Sequence, residues 1–200
     1  MKLVAAAFSF LIFTAISLSI TYAQTPTPNA SIRAARVAGK LDNLLERAAS
    51  REAALKAKLL KFKDQNKAQI VERVNTNLAK VNKNRTDMML AHLDRMSTIS
   101  SKLTDRVNSI TDKDTTSAKS QIASASAAIA TAREAVASQS AKDYTISVTT
   151  ETNVRKDAQA TRELLHTDLR SVHQLIVAAR QALAKAISET AQLVGIKNGQ

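Results

Sequence analysis

Residues 163–194 read ELLHTDLRSVHQLIVAARQALAKAISETAQLV. Within them Leu165, Leu169, Val172, Ile176, Ala179, Leu183, Ala186, Thr190 and Leu193 recur at alternating spacings of four and three. Such a seam runs up one side of an α-helix and asks for another helix to cover it. Gly195 stands where the seam stops, and glycine takes the left-handed conformation that ends helices. A C-terminal helix over 153–194 is therefore predicted, with 195–200 as a loose tail.

Working back from this helix, YTISVT at 144–149 alternates in character and is rich in β-branched residues. That pattern predicts one short strand or an extended connector within 142–152. Before it, Ile122, Ala125, Ile129, Ala132, Val136 and Gln139 form the seam of an Ala-rich helix near 117–141. A polar loop opens that segment, which spans 111–141 as a whole. An Ala-rich seam buries little area and depends on a close partner. From Val37 to Ile110, apolar or small residues recur about every 3.65 positions, with Glu52, Asn66 and Arg85 filling gaps. The predicted element is a long basic helix over 32–110, about 120 Å if unbroken. KFKDQNK at 61–67 and NKNRTD at 82–87 are the two places where it would fold into a hairpin.

What is missing agrees with this. The chain has 200 residues, no Cys, no Trp, two Pro, and Gly only at 39, 195 and 199. No glycine or proline occurs from Lys40 to Val194. Sandwiches, barrels and α/β folds need such turn residues, and a phosphate-binding loop needs glycine. The expected fold is all-α: an elongated long-helix coiled coil or a helical bundle, with one short extended segment near 144–149.

Residues 1–23, MKLVAAAFSFLIFTAISLSITYA, combine a positive start, an apolar stretch and a small-residue exit before Gln24. They read as a secretory signal peptide, with an uncleaved N-terminal membrane anchor as the alternative. Residues 24–31, QTPTPNAS, read as a flexible spacer. The expected location is extracytoplasmic: periplasm, cell surface or secreted.

The formal net charge is +12. It concentrates in residues 32–110, which hold 17 basic and 8 acidic residues. On a helical wheel Arg33, Arg36, Lys40, Arg47, Arg51, Lys58 and Lys61 fall in an arc of about 80°, with Asp42, Glu46 and Asp64 on the other side. Like charges four residues apart repel within an isolated helix. Such a stripe is relieved either by acidic residues of a neighbouring helix or by an anionic polymer or lipid headgroups. Specific nucleic-acid recognition is not expected, since base-stacking aromatics and recognised binding motifs are missing.

Chemistry is sparse. Glu163 and His166 make a single E-x-x-H, whereas a di-metal helical site needs two, plus two further carboxylates. His166 and His173 lie two turns apart, too far for one metal within one helix. No triad is recognisable. No catalytic residue, cofactor or metal ligand is assigned, and the chain reads as a non-enzyme.

LLKFKDQNKAQIVERVNTNLAKVNKNRTDMMLAHLDRMSTISSKL at 59–103, followed by AIATAREAVASQSAKDYTISV at 128–148, resembles a group of exported bacterial coiled-coil proteins with no assigned activity. The resemblance covers roughly residues 40–190. It implies the order long helix, Ala-rich helix, YTI segment, last helix, and implies no site. The expected function is a structural or interaction protein of the cell envelope. It would partner itself or another helical protein through its seams, and offer a basic face to anionic partners. The alternative is a periplasmic holdase chaperone or stress adaptor, by analogy with small basic helical chaperones.

Overall fold

The computed structural model describes residues 28–195, with side-chain surroundings from residue 42 onward. The signal or anchor at 1–23 and the end of the tail lie outside the described residues, as does the first half of the spacer, 24–27. The chain divides at Val37 into two compact units, and the second, from Ala38 on, contains both hydrophobic cores. The described residues form four helices: α1 Pro28–Leu59, α2 Gln65–Asn108, α3 Thr116–Ser140 and α4 Val154–Val194. The fold is an all-α bundle.

The segment 32–110 is two helices. Helix α1 begins at Pro28, inside the expected spacer, where proline suits a first helical position. It ends at Leu59, and the chain turns through residues 60–64. Asp64 caps α2 by accepting a hydrogen bond from the Lys67 amide at 3.1 Å. From across the fold, the Glu151 carboxylate accepts bonds from the amides of Lys63 and Asp64, both at 3.0 Å. The second candidate turn, 82–87, is uninterrupted helix. Asn82 and Thr86 are buried there, and Thr86 Oγ1 folds back on the Asn82 carbonyl at 3.0 Å.

Helices α2 and α4 run parallel, and the chain returns between them through α3. Ser100 meets Ser126 at 2.9 Å, Arg133 meets Asp94 at 2.6 Å, and Ser117 Oγ meets Glu189 at 2.6 Å. The α3 seam predicted from sequence is buried in full, Gln139 included, as are the first eight positions of the α4 seam. The apolar α3 seam positions and Val172 to Ala186 of the α4 seam build one core with Leu93, Met96 and Val107 of α2. A fully buried leucine such as Leu93 contributes about 1.5–3 kcal/mol.

Below α3 the return path is extended, and a length argument explains why. Gln139 pairs with Asn82, and Glu151 pairs with Asp64. Between these points α2 covers eighteen residues, or about 27 Å. The twelve residues from 139 to 151 would cover only about 18 Å as a helix. Extended, they can reach about 40 Å. No sheet partner is present among the described residues, so side chains serve the backbone instead. Ile146 N–H donates to Asn75 Oδ1 at 2.9 Å, Thr149 N–H to Asp157 Oδ2 at 2.7 Å, and Thr145 N–H to Asp143 Oδ1 at 2.9 Å. Lys58 Nζ donates to the Val148 carbonyl at 2.8 Å. The expected alternation survives in this connector: Tyr144, Ile146 and Val148 are buried, while Ser147 and Thr149 are exposed. They form the second core with Leu55 and Leu59 from the end of α1, Phe62 of the following turn, Val71 and Leu78 of α2, and Leu165 and Leu169 of α4.

Thr115 precedes α3 and Asn153 precedes α4, neither making a side-chain cap hydrogen bond. Gly195 ends α4 at φ 82°, as its position in the sequence predicts.

Candidate functional site

Three features carry polar or charged groups in a defined arrangement. The first is a buried polar node at the junction of α3 and the connector. Gln139 and Asn82 exchange bonds: Gln139 Nε2 donates to Asn82 Oδ1 at 3.0 Å, and Asn82 Nδ2 donates to the Gln139 carbonyl at 3.1 Å. Gln139 Nε2 also donates to the Tyr144 hydroxyl at 2.6 Å, which in turn donates to Asp168 Oδ2 at 2.7 Å. Lys142 Nζ reaches the same Asp168 oxygen at 2.9 Å. Burial, followed by the hydrogen bond to Asp168, pushes the Tyr144 phenol well above its usual range, and the bond from Gln139 opposes this only in part. Burial alone would raise the Asp168 carboxyl. The hydrogen bonds from Tyr144 and Lys142, with the Lys142 charge, outweigh it and hold that carboxyl low. A phenol held protonated and a carboxylate held ionised make a lock, not a proton-transfer pair poised near neutrality. Gln139 Oε1 is buried without a hydrogen-bond partner. Among the five buried polar residues, only Gln139 and Thr190 lie on seams legible in the sequence.

The second feature is the basic stripe of α1. Arg33, Arg36 and Lys40 lie on α1 but outside the residues whose side chains are described. Arg47 is exposed on the helix. Arg51 Nη1 pairs with Asp143 of the connector at 3.3 Å while keeping 65% of its side chain exposed. Lys58 holds the Val148 carbonyl. Lys61 lies in the turn after Leu59, out of the helical register that the wheel assigned to it. Two stripe cations therefore fasten α1 to the connector, and Arg47 and Lys61 point to solvent.

The third feature is the flank of α2 and α4 opposite α3 and the connector. A cleft of about 950 Å³ opens there between residues 74–89 of α2 and 162–173 of α4. A second space of about 700 Å³ continues it toward Arg155 and Gln159. Val74, Leu78, Met89, Leu165 and Leu169 form the floor, and Arg85, Arg162 and Arg170 stand on the walls. His166 and His173 line it too. Glu163 sits at its edge and accepts a bond from Gln159 Nε2 at 2.9 Å. No group of three or more potential metal-ligating side chains occurs among the described residues. This flank was visible in the sequence only as the spacing of Arg155, Gln159, Arg162, His166, Arg170 and His173, a second helical face beside the apolar seam.

Among the described residues no helix is long and apolar enough to cross a membrane. Comparison of the chain with protein-family models, curated proteins and solved structures gives no match.

Proposed function

We propose that this chain is an exported interaction protein of the cell envelope, not an enzyme, and that α1 docks it onto an anionic surface. The carrying observation is the one-sided charge of α1, of which Arg47 and, just past its end, Lys61 remain exposed while Arg51 stays largely so. Asp42 and Glu46 lie on the other side of the helix. Lipid headgroups or an anionic envelope polymer would satisfy such a face, each cation near an anionic bilayer contributing about 1 kcal/mol. Export is supported by the character of residues 1–23. Co-sedimentation with vesicles of anionic and of neutral lipid tests the docking. Binding to the anionic vesicles should fall steeply with salt, and should weaken when Arg36, Lys40, Arg47 and Lys61 are changed to Gln. No binding to any anionic surface, or binding insensitive to salt, would refute it.

A holdase is the second reading, supported by the exposed apolar side chains of α2. It predicts suppression of client aggregation at stoichiometric ratios, which a docking protein alone would not give.

A further inference from the structure

Helices α2 and α4 already grip one helix, α3, in the groove on one side. Their other side repeats the geometry with nothing in it among the described residues. On α2 the exposed apolar residues are Ile70, Val81, Met88 and Ile99, at 50%, 39%, 54% and 40% exposure. Their spacings are eleven, seven and eleven. Eleven residues advance about 20° around a helix and seven retreat about 20°, so all four fall in one strip. Val177 and Ile187 face the same side from α4, at 39% and 42% exposure. The strip borders the cleft between α2 and α4.

The charge on this side is predominantly positive. Arg85, Arg155, Arg162 and Arg170 flank the cleft, and none of them makes an ion pair among the described residues. The acids of α2, Glu72, Asp87, Asp94 and Asp105, fall in an arc of about 60° on the far side of the helix from the strip. Glu163 is the single acid at the edge. We infer that the α2–α4 cleft is a docking site for an acidic amphipathic helix of another protein, whose apolar face seats on the floor while its carboxylates meet the four arginines.

The dimensions select a helix. The cleft runs about 22 Å along α2, from 74 to 89, and about 27 Å along α4, from 155 to 173. That is four to five helical turns, or about 15–18 residues of partner. Both walls offer contacts at helical spacing, the arrangement of helix-in-groove recognition. The charge selects acidic flanks, because planar guanidinium groups match carboxylates in pairs. A second copy of this chain would bring further positive charge to a positive wall. A flat bilayer would not reach an apolar floor recessed between two helices. Nucleic acid finds no stacking surface, since Phe62 and Tyr144, the aromatic side chains among those described, are both buried.

The test uses the full chain and a labelled synthetic peptide of 18 residues with Leu on one helical face and Glu on its flanks. A peptide of identical composition in scrambled order and a Lys-for-Glu version are the controls. Fluorescence anisotropy should detect binding of the first peptide alone. Changing Arg85, Arg155, Arg162 and Arg170 together to Gln should weaken it about tenfold or more. Met88→Glu, at an exposed position, should weaken it as well, and circular dichroism should show both variants folded. Arg47→Gln with Lys61→Gln, which changes only the basic stripe and lies outside the cleft, should leave peptide binding unchanged, so failure of the docking proposed for α1 and failure of this site are separable. Equal binding of the scrambled peptide, unchanged affinity in either cleft variant, or loss in the α1 variant would overturn the assignment. So would binding of anionic vesicles, but not the acidic peptide, through the four arginines.

Discussion

Tyr144→Phe isolates the polar node from the packing around it, because the ring stays buried and one oxygen is removed. That oxygen donates to Asp168 and accepts from Gln139. A hydrogen bond to a charged group is worth about 1.5–3 kcal/mol, and a neutral one about 0.5–1.5 kcal/mol. Neither partner is stranded, since Lys142 still reaches Asp168 and Asn82 still accepts from Gln139. The expected loss is therefore about 2–3 kcal/mol, not the larger cost of an orphaned charge. Urea denaturation followed by circular dichroism at neutral pH measures it, with an unchanged slope showing that the end states are the same. The pH dependence gives a second reading. The Asp168 carboxyl is held below its usual value when folded. Its contribution is therefore present above about pH 4, the unfolded value, and is lost as pH falls through the folded one. Removing the Tyr144 hydroxyl should make that acid limb shallower. A double-mutant cycle with Asp168→Asn should give a coupling of about 1 kcal/mol or more. A loss below about 0.5 kcal/mol together with zero coupling would refute the node as a lock.

Ile176→Asp places a charge in the buried α4 seam and should cost several kcal/mol, roughly 3 or more, whereas Gln174→Asp on the exposed face should cost about 0.5 kcal/mol or less; equal melting-temperature losses would contradict the register of α4. Glu151→Ala removes the carboxylate that receives the Lys63 and Asp64 amides, whose hydrogen bonds hold that carboxyl low. It should lower the melting temperature and weaken amide protection at the α1–α2 turn in hydrogen exchange, and unchanged protection there would count against this cap. In a chain starting at Gln24, Tyr144 is the sole tyrosine. With its folded pKa raised, the protonated phenol stabilises the fold fully below about pH 10, and this is lost as pH rises above that value. Tyrosinate absorbance should accordingly appear together with loss of helix, and its appearance near pH 10 in a folded chain would contradict the buried hydroxyl.

The helices were legible where apolar period and packing agree. The seams of α3 and α4 are such cases, since a partner lies on one side of each and every seam position faces it. Helix α2 differs because several of its most apolar residues lie on its open flank, beside the buried line. Its buried line takes Val71, Asn82, Thr86 and Ser100, where hydrophobicity favours Ile70, Val81, Arg85 as a gap, and Ile99. Burying the polar residues costs little because each has a hydrogen-bond partner, in the Gln139 amide, the α2 backbone or Ser126. Composition marked 61–67 and 82–87 equally as turns, and only the Glu151 carboxylate and the Gln139 amide, far along the chain, distinguish them. The cleft between α2 and α4 combines residues about 80 positions apart, so spacing within one helix shows half of it. The α1 stripe was legible as charge. The sequence could not show that Arg51 and Lys58 reach the connector, because that depends on where the return path runs.

The extended return path also governs the order in which the protein can assemble as it is synthesised. The α2–α3 hairpin joins partners such as Ser100 and Ser126, 26 residues apart, and can close once about 140 residues have emerged. Leu55, Leu59 and Phe62 find only part of their cover nearby, from Ala68, Val71 and Leu78 of α2. The rest comes from Ile146, Val148, Leu165 and Leu169, the most distant about 110 positions later. A growing chain therefore carries an incompletely covered apolar end of α1 through most of its translation. Any product that stops short of α4 leaves it so, and becomes a target for aggregation or for quality-control proteases.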